Sequence, residues 1–180
     1  QFFNHFNQSN HRLNIYSFLI NHIIRILIIL SMEVSEDLRT PDKEGRTPMY
    51  RACEDGDLDR IKYLYTHGCQ EDLRRSDMDG LTPLYISSWR GHLHVVQWLY
   101  DHGAQEDVRT PDDGGTTPMA RSCYNGQLVI LQWLHDHGAH EDVRTPDNDG
   151  TTPLCKAGLS SQVETMQWLF DHGAQEDVRT

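Results

Sequence analysis

Cysteine is scarce in this 180-residue chain, and its placement excludes the usual uses. Cys53, Cys69, Cys123 and Cys155 are the only four, and none forms a CxxC pair, so zinc binding has no support in the sequence. Small buried thiols in a reducing compartment remain as the reading, which points to the cytoplasm and leaves the nucleus open. Basic residues are also short: 16 Lys and Arg stand against 27 Asp and Glu, a formal charge of −11. A surface that acidic repels phosphate backbones, so nucleic acid is not an expected partner and a neutral or basic protein is. Hydrophobic residues reach only 37%, little for one globular core. Gly-rich phosphate loops, a serine nucleophile elbow and paired catalytic carboxylates are missing too. The chain is therefore expected to be non-enzymatic, with no cofactor, metal or small-molecule substrate.

The absences are sharpest in residues 1–31, which contain no Asp, Glu, Gly or Pro and only Arg12 and Arg25 as full charges. A membrane span needs about 20 mostly apolar residues, and Asn21, His22 and Arg25 interrupt Leu13–Leu30. A signal peptide needs a small-residue cleavage site, of which Ser31-Met32-Glu33 is a poor version. A third reading takes the stretch as translated untranslated sequence ahead of a start at Met32, because an A/T-rich stretch encodes Asn, Ile, Phe and Leu by default. A genuine amphipathic extension is the fourth. The division adopted is a non-repeat leader, 1–31, and an array, 32–180.

What the array does have is repetition. DHGAQEDVRT occupies Asp101–Thr110 and returns unchanged at Asp171–Thr180, with a near copy at Asp136–Thr145. Gly68, Gly103, Gly138 and Gly173 step by 35 residues, and so do the pairs Thr47-Pro48, Thr82-Pro83, Thr117-Pro118 and Thr152-Pro153. A fixed period in this range signals stacked supersecondary units, here about 42–76, 77–111, 112–146 and 147–180. Cys53 and Cys123 hold one position two units apart, roughly 20 Å at ~8–10 Å per helix layer, too far for a disulfide.

Within a unit, threonine caps a helix start and proline suits its first position, so a first helix begins at each Thr-Pro pair. In the second unit it runs to Gly91, which suits a left-handed stop. A second helix follows, with apolar stripes Leu58, Ile61, Leu64, Tyr65; Leu93, Val96, Leu99, Tyr100; Leu128, Val129, Leu131, Leu134; and Val163, Met166, Leu169, Phe170. Asp-x-x-Gly turns (Asp77–Gly80, Asp112–Gly115, Asp147–Gly150) sit in a long finger.

T-P-L/M-x-x-A/S, then G-H-L-x-V-V-x-W-L, then H-G-A resembles the ankyrin repeat, best matched at Thr82-Pro83-Leu84, Gly91-His92-Leu93 and Val95-Val96. The resemblance implies an all-α solenoid of helix-turn-helix units joined by fingers, binding a partner protein on a concave face. Departures are the 35-residue period where 33 is usual, placed in the finger; Tyr50, Tyr85, Ala120 and Cys155 where histidine is usual; and Ser161 where the inter-helix glycine is expected, predicting a looser fourth turn.

Three sets of residues invite chemistry. Trp98, Trp133 and Trp168 share one position, with Tyr63 in the first unit, and are read as inter-repeat packing. His67, His102, His137 and His172 lie too far apart to share a metal and are read as bonding the last carbonyls of their helices. Glu106, Asp107, Arg109 and their copies are read as a ladder of solvated charges between fingers, with an interaction strip as the alternative.

Fingers and second helices are nearly copied, whereas first helices differ. The varied positions, on one helical face, are Arg51, Ile86, Arg121 and Lys156, with the pairs Glu54-Asp55, Trp89-Arg90, Tyr124-Asn125 and Leu159-Ser160. The resemblance puts that face on the concave side, and Trp, Tyr and Arg are preferred hot-spot types. The candidate partner-binding set is Arg51, Glu54, Asp55, Ile86, Trp89, Arg90, Arg121, Tyr124, Asn125 and Lys156. Alternatives are a spacer within a longer array and a scaffold tethered to a membrane through residues 13–30.

Overall fold

A computed structural model describes residues 38–179; the leader and its competing readings lie outside the described residues. Contacts set Arg39–Thr180 apart as one compact unit. Eight short α-helices fill it in four hairpins: α1 (Pro48–Asp55) with α2 (Leu58–Thr66), α3 (Pro83–Arg90) with α4 (Leu93–Asp101), α5 (Pro118–Tyr124) with α6 (Leu128–Leu134), and α7 (Pro153–Leu159) with α8 (Val163–Asp171). No strand occurs among the described residues. None of these helices reaches the ~12–15 residues that hold alone in water. They persist because each first helix packs on the next first helix and on its own second helix.

Each first helix starts as the sequence predicts. The backbone amides of Tyr50, Tyr85, Ala120 and Cys155 donate to the hydroxyl of the preceding cap threonine at 3.1, 3.2, 3.2 and 3.4 Å, and proline follows at the first helical position. Ala120 and Cys155 serve as well as tyrosine, because only the backbone amide is used.

The buried stripe of the second helices differs from the pattern read off the sequence. Val95, Val96 and Leu99, then Ile130, Leu131 and Leu134, form the core, whereas Val129 is 62% and Val163 73% exposed. In the fourth unit Thr165 is buried and Phe170 faces out. Ile61, Leu64, Val96, Leu99, Leu131, Leu134 and Leu169 are buried as the stripe predicted, and the difference lies at its start, where Val95 and Ile130 take the place of Leu93 and of Leu128 with Val129. A short helix has room for two side chains per turn against its neighbour, and the first residue of each lies at the helix end.

The fingers stack through their turns. Asp42, Asp77, Asp112 and Asp147 each accept from the backbone amide four residues on at 2.8–3.0 Å. One backbone bond then joins each turn to the next: Met78 N–H to Glu44 O, Asp113 N–H to Asp79 O and Asn148 N–H to Gly114 O, all 3.0 Å. Close approach makes glycine necessary at position 115. Its φ is 77°, and a Cβ there would lie 2.4 Å from Asn148 Oδ1 and 3.0 Å from Asn148 N. Gly115→Ala should cost about 1–2 kcal/mol, a fall of roughly 3–6 °C in a thermal melt; an unchanged melt would show that the turns do not bear on one another.

The fourth inter-helix turn shows what loss of glycine does. Gly56, Gly91 and Gly126 take positive φ there, and Ser161 is held at φ 57°, alone among the described non-glycine residues. The left-handed region costs an L-residue about 1–2 kcal/mol, and glycine returns some of that through its freer unfolded chain. Ser161→Gly is thus expected to stabilise by about 0.5–1 kcal/mol, read from the shift in urea midpoint; a loss of stability would locate the strain elsewhere.

Candidate functional site

The first-helix row brings the candidate residues together but uses several of them internally. Arg51 Nη2 lies 3.2 Å from Asp42 Oδ2, Arg121 Nη2 3.3 Å from Asp112 Oδ2, and Lys156 pairs with Asp147. Each of these cations braces its own unit's turn. Burial alone would raise the Asp147 carboxyl, but the Lys156 ammonium and two backbone amides hold it below its ordinary value. The second unit has no cation there. Instead Ile86 is 2% exposed, so that candidate supplies packing and no contact surface.

Tyrosines share the bracing. The Tyr85 hydroxyl donates to Asp112 Oδ2 at 2.7 Å and accepts from Arg121 Nε at 3.1 Å. Burial, with the Asp112 carboxylate, raises that phenol well above its ordinary range, against the opposing effect of the Arg121 guanidinium. The positions where histidine is usual thus do hydrogen-bond in the second unit, but to the next unit's turn.

Trp89 lies at the centre of what stays accessible. Its half-buried ring meets the Arg121 guanidinium at 4.7 Å and the Arg90 guanidinium at 5.4 Å from the centroid. Arg90 also pairs with Glu54 in the preceding unit, and Asn125 Nδ2 donates to the Trp89 carbonyl at 3.0 Å. Adjacent first helices are thereby fixed in register. Beyond Trp89 the same position carries Tyr124, 44% exposed, and Leu159, 75% exposed. Leu159 belongs to the varied pairs of the sequence but not to the candidate set, and its exposure is invisible without coordinates. Asp55 is exposed at the unit-one end.

Trp98, Trp133 and Trp168, the histidines that stack on them and the buried cysteines belong to the scaffold. Each Trp ring meets the previous unit edge-on, Tyr65 to Trp98 at 5.3 Å, Tyr100 to Trp133 at 5.2 Å and His135 to Trp168 at 5.2 Å. His102, His137 and His172 stack on those Trp rings at 3.8–3.9 Å, and each Nδ1–H donates to the Trp carbonyl at 2.7 Å. The imidazole closes the helix end, as its sequence position suggested. Burial pushes the Cys53 and Cys123 thiols far above their ordinary value, so both are poor nucleophiles. Cys155, expected to be buried, is exposed.

The finger ladder is present but only half solvated. Arg74 reaches Asp107 and Glu106, Arg109 reaches Asp142 and Glu141, and Arg144 reaches Asp177 and Glu176, all within 2.8–3.2 Å. The glutamates are exposed, but Asp107 and Asp142 are buried, each in a 3-10 turn (Gln105–Val108, His140–Val143) where the sequence predicted loop. Their Oδ2 atoms, like that of Asp72, meet no hydrogen-bond partner. Burial raises all three carboxyls, and the arginines offset it only in part.

A family model described as ankyrin repeats (3 copies) matches residues 8–112 and again 104–180. The chain belongs to the ankyrin-repeat family. A search of curated proteins found no match. Ankyrin repeats are in general protein–protein interaction modules and typically non-enzymatic. Among the described residues no cluster of His, Cys, Asp and Glu is arranged to hold a metal, and no helix of the ankyrin array is long and apolar enough to cross a membrane.

Proposed function

We propose that this ankyrin array binds a partner protein across its first-helix face, on the row Trp89, Tyr124 and Leu159 with Arg90 and Asn125 beside it. The observation that carries the reading is the placement of a large apolar side chain at one surface position in three successive units. That position varies while the scaffold around it is copied. Arg51, Arg121 and Lys156 take part indirectly, by bracing the turns. A solution comparison tests the reading: proteins retained by the wild-type chain should be lost from the Trp89→Ala, Tyr124→Ala double variant, with helical circular dichroism unchanged. Equal retention would move the site to the fingers or the second helices.

A spacer role within a longer run of repeats is the second reading, and one observation favours it. Leu154, Val163, Met166, Gln167 and Phe170 line an apolar hollow of about 300 Å³ on the fourth unit, and the counterparts of Phe170, namely Tyr65, Tyr100 and His135, pack against the tryptophan of the following unit. The tethered-scaffold reading rests on residues outside those described.

A further inference from the structure

The junction between units three and four is fastened differently from the two before it. Across the first junction His92 Nε2 lies 3.0 Å from the Glu54 carbonyl and His94 Nε2 3.1 Å from the Gly56 carbonyl. Ser87 Oγ donates to the Cys53 carbonyl at 3.3 Å, and Arg90 pairs with Glu54. Across the second, Asn125 Nδ2 donates to the Trp89 carbonyl, and the Tyr85 hydroxyl joins Asp112 and Arg121. At the third, Ala120 stands in place of Tyr85, and Ala157, Ser160, Gln162 and Glu164 in place of Ser87, Arg90, His92 and His94. Among the described residues α7 and its turn make no side-chain hydrogen bond to unit three. The polar bonds of that junction lie in the fingers, from Asn148 and Arg144.

Unit four is weakened within as well. Ser161 holds φ 57° where the other inter-helix turns have glycine. Gly158 lies inside α7, where Cys53, Ser88 and Cys123 stand in the earlier helices, and a helix-interior glycine gives up more chain entropy than any other residue. Crowding does not require it, since a Cβ there would lie 3.9 Å from Met166 Cε. Ser160 Oγ is buried without a hydrogen-bond partner.

We propose that unit four opens as a separate cooperative unit while units one to three stay folded. In a stack of repeats, stability sums unit by unit and junction by junction. A sparsely bonded junction beside a strained unit lets that unit open below the cost of global unfolding. The opening does not depend on where a partner binds. With the first-helix row as the binding site, Leu159 rides on the unit that opens, and a partner engaging it holds that unit closed.

Two cysteines already in the chain report the opening. Cys53 meets Ser87 of the next first helix, Cys123 holds the same position one unit before α7, and both are fully buried. The test uses the full chain carrying Cys155→Ser, which removes the exposed thiol, with iodoacetamide labelling read by peptide mass spectrometry. Cys123 should be modified about tenfold faster than Cys53, the combined effect of one helix-interior glycine and one left-handed serine. Gly158→Ala with Ser161→Gly should slow Cys123 by a similar factor. Thr82→Ala, which removes a helix cap in unit two, should lower the urea midpoint and leave the Cys123 rate unchanged. Equal rates at the two cysteines, or a Cys123 rate that rises with Thr82→Ala, would show one cooperative block and overturn the inference. A fast Cys123 that the double variant fails to slow would overturn it too, because the opening would then have another cause.

Discussion

Arg109→Ala should destabilise the array at pH 7 by about 2–3 kcal/mol, whereas Asp142→Asn, which deletes the other half of the same ion pair, should be close to neutral. The asymmetry follows from burial. Asp142 is 1% exposed and one of its oxygens has no partner; Arg109 is 43% exposed. Removing the arginine leaves a buried carboxylate uncompensated, a loss that reaches about 3–5 kcal/mol in fully buried pairs and is discounted here because water reaches the arginine. Removing the carboxylate leaves only a solvated guanidinium, still beside Glu141. Urea denaturation of the two variants decides between this account and a net-favourable bridge, which would make both substitutions equally costly.

The same geometry fixes a sign for pH dependence. The Asp142 carboxyl titrates above its ordinary value when folded, because burial outweighs the Arg109 attraction. Between the unfolded value, about 3.9, and that raised value the folded state binds more protons than the unfolded chain. Stability therefore falls as pH rises through this window and is regained on acidification. Asp147 runs the other way: its depressed value gives stability that is present above the unfolded value and lost as pH falls through the folded one. Wild type should gain on Asp142→Asn as pH drops from about 7 toward about 4.5. A constant difference would mean that the buried carboxyl is not raised.

Trp89→Ala with Tyr124→Ala is expected to weaken partner binding by at least about a hundredfold, on the order of 3 kcal/mol, since central aromatic anchors each contribute ~2 kcal/mol or more. Folding should change far less. Tyr124 is exposed, and Trp89 lends the fold its backbone carbonyl to Asn125, which alanine keeps, the buried part of its ring, and two cation–ring contacts worth about 0.5–1 kcal/mol each when partly solvated. Arg51→Ala is the contrasting control. It unbraces the Asp42 turn and should alter binding little. Were Arg51→Ala to cost as much binding as the aromatic pair, the site would be electrostatic and centred on the cations.

Much of this was legible in the chain itself. The 35-residue period, the Thr-Pro helix starts and the glycine stops depend on backbone geometry within a few residues, and local chemistry expresses itself directly in sequence. The lost glycine at Ser161 was also legible, but it suggested a looser turn, whereas the turn keeps the left-handed conformation at φ 57° and carries strain instead. Which face the fingers' charges point to was not legible. Glu106 and Asp107 are neighbours of one charge type, yet one is solvated and the other buried, because a 3-10 turn aims them apart. Ile86, a surface candidate by helical spacing, is enclosed by neighbours that spacing does not see.

The sequence by itself therefore determined the repeat, its helices and the family they belong to, since each unit is specified by contacts between residues close along the chain. Tertiary structure alone decided which varied positions remain free. Arg51, Arg121 and Lys156 look like recognition residues until their carboxylate partners are placed in the turns nine residues earlier, and the 75% exposure of Leu159, which the sequence places only on the varied face, is seen in the structure alone. Exposure is set by what the neighbouring unit brings to a position, and no single unit's sequence carries that.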